Sequence, residues 1–377
     1  MMVFVKGVGM TRFGEHWDKD LRDLAIEAAV KAMDDAEVSR DEIDGIIVGN
    51  MDAGRFTGQS HLGSLLASEL GLTPKEALRV EGACASGGLS IRQGVLWVKS
   101  GLFKHVLVVG VEKMCDVTTG ETALILSGAG DAKWEAFYGA TFPSLYALVA
   151  RRHMYEFGTT EEQMAEVAVK NHYHGSMNPF AQFQREISKE DVLESQYVAD
   201  PLKILDCSPI TDGAAAVVLS SKKTDVEIIG SACATDELSL HNRETITTFR
   251  STVEATKRAL NQARIDISKI QVAEVHDCFT IAELLAVEDI GFVEKGKSGK
   301  EYEEGRFRLG DSIVINPSGG LKACGHPVGA TGVKQIVELT LQLREEAGKR
   351  QVNAEYGLAH NVGGTGGTCV IHILRRV

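Results

Sequence analysis

Cys84 has the sequence surroundings of a nucleophile. It lies in the run EGACASGG at 81–88, after apolar residues that predict a strand at 77–80 and before a helical pattern that begins at Leu89. A thiol on a sharp strand-to-helix turn is accessible to a reactant, and the unpaired amides at the start of a helix favour its thiolate. The alternative is a buried structural cysteine, which is the commoner role of a free Cys. The segment alone leaves both interpretations open.

Three further motifs lie in the second half of the chain. His276 and Cys278 stand two positions apart in HDCF, directly after a predicted strand. His326 lies in GHPVGATG, which follows NPSGG with Asn316, and Pro and Gly fix the backbone there just before a helix. The run HNVGGTGG at 360–367 is a glycine-rich turn whose amides could bind an oxyanion. A lone His at a strand end is more often structural. Ligands of open α/β sheets bind at these ends, however, so a His and a Cys together at one end favour a role in proton transfer.

The composition is that of an ordinary globular chain, with 377 residues, 44% hydrophobic and 24% charged. A formal net charge of -12 argues against a nucleic-acid partner. The seven cysteines include no CxxC pair and indicate neither a disulfide framework nor a zinc site, so we expect a reducing cytoplasm and no metal. The apolar run in Met1 to Met10 is too short for a signal or membrane segment, so we expect no membrane association.

An internal repeat organises the chain. Strand and helix patterns alternate along the first half, which predicts crossover units on a largely parallel, buried sheet. Five apolar residues of the first half recur in the second at one constant offset: Ala32, Ala36, Val38, Ile43 and Val48 as Ala259, Ala263, Ile265, Ile270 and Val275. Each copy reads as a helix, a turn and a strand, so we predict two similar α/β halves related by a pseudo-twofold.

A long segment interrupts this alternation. Helices and loops rich in Gly, Asn and Pro occupy residues 116–204, and insertions of that size usually carry binding function. We therefore predict an N-terminal half made of residues 1–115 and 205–224, an inserted loop domain at 116–204, and a C-terminal half at 225–377.

Two other patterns are set aside. Residues 291–298 match the phosphate-loop pattern GxxxxGKS, but a helix precedes them and a charged loop follows, which is the wrong context for a phosphate loop. His172 and His174 could suggest a metal, yet no Cys or carboxylate accompanies them at ligand spacing, and we expect a solvated loop there.

The order of the motifs resembles the thiolase family, in its sterol-carrier-protein-type and archaeal branch. CASGG, HDCF, NPSGG, GHPVGATG and HNVGG follow one another, with an insertion between the first and the second. The resemblance spans essentially the whole chain. It implies an α/β thiolase fold, in which two similar βαβαβαββ halves form five αβαβα layers with an inserted loop domain.

The resemblance also implies a role for each catalytic side chain. Cys84 would take an acyl group from acyl-CoA after His326 draws off its proton. Many thiolases then use a Cys of a C-terminal CxG motif as the base for the second substrate, but Asn361 stands in that place here. The base role therefore passes to Cys278, with His276 and His326 binding the enolate oxygen.

Two more residues complete the implied site. The backbone amides of Cys84 and Gly363 would bind the oxyanion that forms when the thioester is attacked. Asn316 would orient His276 or His326 through a side-chain hydrogen bond, although Asn before Pro is also a common turn residue. No residue is assigned to coenzyme A binding, and the resemblance implies coenzyme A thioesters as substrates with no permanently bound cofactor.

The implied activity is that of an acetyl-CoA C-acetyltransferase, which condenses two acetyl-CoA to acetoacetyl-CoA and CoA, or runs the reverse thiolysis, and feeds the mevalonate pathway. Two alternatives are a non-catalytic acyl-CoA-binding scaffold and a condensing enzyme or aldolase that acts with a small OB-fold partner. The resemblance also implies a homodimer or homotetramer. Archaeal members similar to this chain assemble with hydroxymethylglutaryl-CoA synthase through a small zinc-ribbon and OB-fold bridging protein.

Overall fold

The computed structural model describes the whole chain, residues Met1–Val377, with twelve strands and thirteen α-helices. The strands are β1 (Phe4–Met10), β2 (Gly45–Gly49), β3 (Glu76–Val80), β4 (His105–Glu112), β5 (Tyr197–Ala199), β6 (Leu202–Lys203), β7 (Gly213–Ser220), β8 (Val226–Thr235), β9 (Val272–Glu274), β10 (Val314–Ile315), β11 (Tyr356–Gly363) and β12 (Thr368–Arg376). The helices are α1 (Leu21–Asp35), α2 (Ala53–Thr57), α3 (Leu62–Glu69), α4 (Ser86–Ser100), α5 (Thr119–Ser127), α6 (Phe142–Phe157), α7 (Glu161–Ser176), α8 (Lys189–Glu194), α9 (Arg250–Ala263), α10 (Thr280–Ile290), α11 (Ser298–Glu303), α12 (Gly320–Cys324) and α13 (Thr331–Leu343).

Ten of the strands form two five-stranded halves with the same strand order. The first runs β3-β2-β4-β7-β1 and the second β10-β9-β11-β12-β8, so corresponding strands hold corresponding places. In each half the three outer strands are parallel, and the two inner strands are antiparallel to their neighbours. The halves join where β1 pairs with β8 through only two residue pairs. The two halves predicted from the repeat are therefore present.

The repeated residues form the same local structure twice. In the first half α1 leads through a short turn at Arg40–Glu42 into β2, and in the second α9 leads through Ile267–Lys269 into β9. Ala32 and Ala259 are both fully buried, each on the helix face that packs against its sheet. The repeated apolar residues thus mark the helix face that packs against the sheet in each half.

Two helices pack against each other between the halves. α4 and α13 fill this central layer, while α1 covers the outer face of the first half and α9 covers that of the second. Gly87 and Gly88 on α4 face Gly332 on α13, and a Cβ on Gly332 would collide with the backbone nitrogen of Gly88. The central helices therefore approach through backbone, which gives the five-layer arrangement and leaves their N-termini side by side.

The segment between β4 and β7 contains α5 to α8 and the small β5–β6 hairpin, and none of its strands joins the large sheet. It packs on the second half chiefly through α7, which contacts α10, α11 and α12. The expectation of a solvated loop at His172 and His174 is wrong, since α7 continues to Ser176 and buries both side chains. Burial lowers the pKa of His172 to about 4 and that of His174 to about 3. The exact domain boundaries stay a prediction.

None of the helices combines the length and the apolar character that crossing a bilayer would require.

Gly332→Ala should destabilise the fold through the central helix contact. The added methyl has no room against Gly88 and the side-chain oxygen of Asn361, and overpacking of this kind costs about 1–3 kcal/mol. Gly120→Ala is the control, because Gly120 lies in α5 with open space around a Cβ and should be neutral or slightly stabilised. Urea-unfolding midpoints measure both, and equal midpoints would contradict the close-contact argument.

Candidate active site

One apolar cavity receives residues from both halves and from the inserted segment. Its volume is about 200 Å³, and its wall includes Cys84, Cys278 and His326. Phe142 and Tyr146 of α6 form part of the same wall. Cys84 follows β3 and Cys278 follows β9, so the cavity lies at carboxyl ends of parallel strands, and His326 reaches it from the loop between α12 and α13. The structure thus brings together sulfur and imidazole groups that are distant in the sequence.

Cys84 sits in a single 3₁₀ turn, Ala83–Ala85, between β3 and α4. The residue before it, Ala83, has φ 54°, a left-handed conformation that non-glycine residues rarely adopt, so the strain of the turn falls on Ala83. Burial raises the pKa of Cys84 to about 12, although the N–H groups of Gly364 and of Cys84 itself oppose that rise. The amides favour the thiolate, but desolvation outweighs them. Cys84 needs a base to become a nucleophile.

His326 is held as a neutral base. Its Nδ1 lies 2.7 Å from Thr331 Oγ1, and that hydroxyl donates its own hydrogen to the carbonyl of Pro327. Thr331 must therefore accept from Nδ1–H, which leaves Nε2 with a free lone pair. Burial lowers the pKa of His326 to about 3, so the ring stays neutral near pH 7. Such a ring can take a proton from a thiol.

His276 is held in the opposite tautomer by Asn361. The amide oxygen of Asn361 accepts from Gly88 N–H at 2.9 Å, which fixes the amide orientation. Its nitrogen donates to the carbonyl of Cys84 at 3.0 Å and to His276 Nδ1 at 3.2 Å. Since Nδ1 accepts, Nε2 of His276 carries the hydrogen, and this buried atom has no hydrogen-bond partner. His276 therefore presents a free donor to the site.

The two imidazoles and the thiol form one compact group. One ring nitrogen of each histidine and the sulfur of Cys84 all lie within 4.8 Å of one another, and the rings meet edge to face with centroids 4.9 Å apart. By spacing alone this set could hold a metal ion. The chemistry of the donors does not fit one, because Asn361 keeps the hydrogen on Nε2 of His276 and a metal ligand needs a lone pair there. One ring can accept a proton and the other can donate a hydrogen bond.

Cys278 shares the cavity with Cys84. Burial and the nearby sulfur of Cys84 raise its pKa well above the ordinary value, and the hydroxyl of Tyr146 opposes that rise. Its backbone carbonyl accepts from Ser208 N–H at 3.0 Å, which ties HDCF to the end of the inserted segment. A second thiol therefore stands in the cavity, as the sequence predicted.

Asn316 does not touch either catalytic ring, so the predicted hydrogen bond to His276 or His326 is wrong. Its oxygen accepts from Val275 N–H at 2.8 Å, and its nitrogen donates to Glu283 at 2.7 Å. With φ 55° the residue is left-handed, and this turn directs its side chain back to the strand that precedes HDCF. Asn316 holds the end of β9 in place.

The amide that faces the sulfur of Cys84 belongs to Gly364, one residue beyond the predicted Gly363. Gly364 lines the cavity, and its N–H is directed at Cys84. Gly363 has a packing role, because a Cβ there would collide with the carbonyl oxygen of Gly82. The predicted oxyanion role of Gly363 is therefore untested by this geometry, which adds Gly364 as a donor from the same turn.

Sequence reasoning missed Tyr146, Thr331, Glu112 and the contacts of Asn361. Glu112 is fully buried and accepts from Met51 N–H, from Gly329 N–H and from the side chain of Asn50. Burial raises the pKa of Glu112 to about 7. It fastens the loop that carries His326 to the first half. A charged residue at the end of the apolar strand β4 was the available signal, whereas Tyr146 lies in an unremarkable helical run.

A thiol, an imidazole base and amide donors around an apolar cavity are the parts of an acyl-transfer site. The chain belongs to the thiolase family, since residues 3–223 match the model for the thiolase N-terminal domain and residues 232–376 match that for a thiolase C-terminal domain-like region. It is an acyltransferase of that family.

Relatives and solved structures agree along the full length. The acetyl-CoA acetyltransferase of Methanothermobacter thermautotrophicus is 51% identical, over 99% of this chain and 99% of the relative. Sterol carrier protein 2 of Bos taurus is 35% identical, over 99% of this chain and 72% of its own length.

Two solved structures share the fold at low identity. The Ltp2-ChsH2(DUF35) aldolase has a TM-score of 0.86 at 23% identity, covering 100% of this chain and 98% of its own. The acetyl-CoA acetyltransferase from Syntrophomonas wolfei has a TM-score of 0.77 at 20% identity, covering 100% and 99%. The thiolase fold predicted from the motif order is confirmed.

Asn361→Asp should exchange the tautomer of His276. A carboxylate accepts a hydrogen from Nδ1, so the proton leaves Nε2 and the site loses its free donor. Turnover in acetoacetyl-CoA thiolysis should fall about 100-fold or more, the lower end for a lost acid–base group. Long-range ¹H–¹⁵N spectra of the imidazoles should report the exchange directly.

The control is Asn353→Asp, which makes the same charge change at an exposed position. It should keep the turnover of the parent enzyme. Full turnover together with an unchanged Nε2–H signal in Asn361→Asp would show that Asn361 does not set the tautomer.

Proposed function

We propose that this enzyme is an acetyl-CoA C-acetyltransferase that condenses two acetyl-CoA to acetoacetyl-CoA and CoA through an acetyl-Cys84 intermediate, or runs the reverse thiolysis. The observation that supports it best is the grouping of the Cys84 sulfur with one nitrogen from each of two oppositely held imidazoles, beside a second thiol. The names of the relatives from Methanothermobacter thermautotrophicus and Methanocaldococcus jannaschii, at 51% and 46% identity, point to the same activity.

In the first half-reaction His326 Nε2 takes the proton of the Cys84 thiol as the sulfur attacks the thioester carbonyl. The oxyanion that forms is bound by the amide of Cys84 and by amides of the turn at Gly363 and Gly364. When it collapses, the bond between carbonyl carbon and CoA sulfur breaks. The CoA sulfur takes the proton from His326 and leaves as the thiol, so the ring is neutral again.

In the second half-reaction Cys278 first loses its proton to solvent and then, as a thiolate, removes a proton from the α-carbon of another acetyl-CoA. His276 Nε2–H donates to the enolate oxygen, and the carbon attacks the acetyl group on Cys84. The C–S bond to Cys84 breaks and acetoacetyl-CoA leaves. The Cys84 thiolate then takes a proton from solvent by way of His326, so that both thiols are neutral again. Because His326 is neutral when the enolate forms, His276 is the principal donor.

Cys84→Ala and Cys278→Ala should separate the two half-reactions. Cys84→Ala should gain no acetyl group and show no turnover, because the attacking atom is gone. Cys278→Ala should gain one acetyl group from acetyl-CoA but fail to condense, since no base removes the α-proton. Intact-mass spectrometry reports acetylation, and acetoacetyl-CoA formation reports condensation.

The matched control is Cys233→Ala, a thiol on β8 that does not line the cavity. It should behave as the parent enzyme does. A parent enzyme without acetylation on Cys84 would indicate the scaffold or the aldolase instead, and a Cys278→Ala variant that condenses normally would remove Cys278 from its role.

Pathway and compartment are further parts of the proposal. Acetoacetyl-CoA is the product that would feed the mevalonate pathway, and coenzyme A thioesters would be the substrates without a permanent cofactor. All seven cysteines are free, which supports a reducing cytoplasm.

The edge strand β3 supports a homo-oligomer. β3 pairs with β2 on one side only, so its other edge has no strand partner. Residues 77–80 of this strand, three of them apolar, remain partly exposed. An unpaired edge of this kind is usually covered, and a second copy of β3 across a twofold would cover it. The turn of Cys84 follows this strand directly, so the pairing would also brace the nucleophile. We therefore propose a dimer, or a tetramer of such dimers.

A complex with hydroxymethylglutaryl-CoA synthase through a small zinc-ribbon and OB-fold protein is also proposed. The Ltp2-ChsH2(DUF35) aldolase is a fold neighbour that pairs with a second protein. The parent enzyme purified alone should form at least a dimer by light scattering over a range of concentrations. A stable monomer at full activity would contradict the β3 pairing, and full activity alone would show that the bridging protein is not required.

A further inference from the structure

We propose that Tyr146, contributed by the inserted segment, positions the proton of Cys278 and links that proton to the oxyanion turn. The inference rests on the proposed function, because it assigns a positioning residue to the second half-reaction. It concerns a residue outside all five motifs, on a helix that the sequence marks only as part of an insertion.

Tyr146 reaches the site from α6. Its side chain is 1% exposed, and its hydroxyl donates to the carbonyl of Gly364 at 3.0 Å. The ring lies against Phe279, the residue after Cys278, with centroids 4.7 Å apart, and the hydroxyl holds the pKa of the Cys278 thiol lower than burial alone would set it. Tyr146 lines the same cavity as both thiols. The residue is buried, is hydrogen-bonded to the turn at Gly364 and lines the cavity together with Cys278.

The direction of the Tyr146 hydroxyl hydrogen determines whether the hydroxyl accepts from the Cys278 thiol or donates to its thiolate. While that hydrogen goes to Gly364, the oxygen of Tyr146 has lone pairs to accept the S–H of Cys278. When Cys278 is a thiolate, the hydroxyl can rotate and donate to the sulfur instead. One hydroxyl therefore serves the thiol in both protonation states. The α-proton moves from carbon to the Cys278 sulfur, and Tyr146 keeps that sulfur oriented before and after.

The same hydroxyl helps to hold the oxyanion turn. Three successive carbonyls of the turn each accept from a buried or half-buried side chain: Gly364 from Tyr146, Thr365 from Arg243 and Gly366 from Ser251. Ser251 donates at 2.6 Å and does not line the cavity. It is therefore a matched control that removes one support of the turn without touching Cys278.

Other ionisable groups also surround Cys278. Cys84, Cys207 and His326 line the cavity with it, His276 and Asp277 precede it in HDCF, and Arg243 lies near Tyr146. These groups are the same in both variants below. A difference between the variants therefore reports the hydroxyl beside Cys278.

The experiment compares Tyr146→Phe with Ser251→Ala in the full-length enzyme. Exchange of the α-protons of acetyl-CoA with deuterated water reports the base, and intact mass after mixing with acetyl-CoA reports acetylation of Cys84. Tyr146→Phe should slow exchange and condensation at least tenfold, the scale of a weakened acid–base group, while acetylation changes by less than about threefold. The rising limb of the exchange rate against pH, which follows ionisation of Cys278, should move to higher pH, since the thiolate has lost a donor.

Ser251→Ala should leave that limb in place, whatever it does to the rate of acetylation. A second variant, 3-fluorotyrosine at position 146, keeps the shape of the side chain and makes the hydroxyl a stronger donor. It should move the limb to lower pH. The proposal would be overturned if this limb lay at the same pH in the parent enzyme and all three variants. It would also be overturned if Ser251→Ala moved the limb as far as Tyr146→Phe does. A parent enzyme that does not become acetylated would instead overturn the proposed function.

Discussion

Desolvation of four ionisable side chains, of which Cys84, Cys278 and His326 line one cavity and His276 lies beside them, is the constraint on which the site depends. Burial raises the pKa of Cys84 to about 12 and lowers that of His326 to about 3, and it shifts Cys278 and His276 in the same two directions. All four groups are therefore neutral at rest, unlike a site built on a standing thiolate–imidazolium pair. Negative charge develops on the carbonyl oxygen of the substrate during the reaction, and backbone amides are already in place to bind that oxygen.

Neutral imidazoles are useful only if each hydrogen is on a defined nitrogen. Thr331 makes His326 an acceptor toward the cavity, and Asn361 makes His276 a donor. Both histidines bind their partner through Nδ1, yet the partners have opposite polarity. Asn361 can play its part because Gly88, at the start of α4, fixes the amide across the interface of the halves. The close packing of the central helices thus sets the tautomer of His276 through the side chain of Asn361.

The sequence predicted the elements of this site well and their contacts less well. The repeat marked which helix faces are covered. The motifs placed Cys84, His276 and Cys278 at strand ends and His326 just before a helix, and the topology brings these positions together. Contacts across the fold left no local signal. The bond between Gly88 and Asn361 spans both halves, and Tyr146 enters from an insertion without periodic marks. The predicted bond from Asn316 to a ring is absent because its amide is already bonded to Val275 N–H and to Glu283, which are not local in the sequence.

The hydrogen bonds of Asn361 explain why the second thiol stands at another position. That residue accepts from Gly88 and donates to both Cys84 and His276, so position 361 needs an acceptor and a donor on one planar group. A cysteine there offers one weak donor and one weak acceptor and could not fix the ring. In the proposed mechanism the thiol base therefore comes from another strand end, and Cys278 stands on the same motif as His276, the proposed donor to the enolate. Base and donor are then carried by one short segment, whose carbonyl at Cys278 is tied to Ser208 and whose preceding strand is held by Asn316.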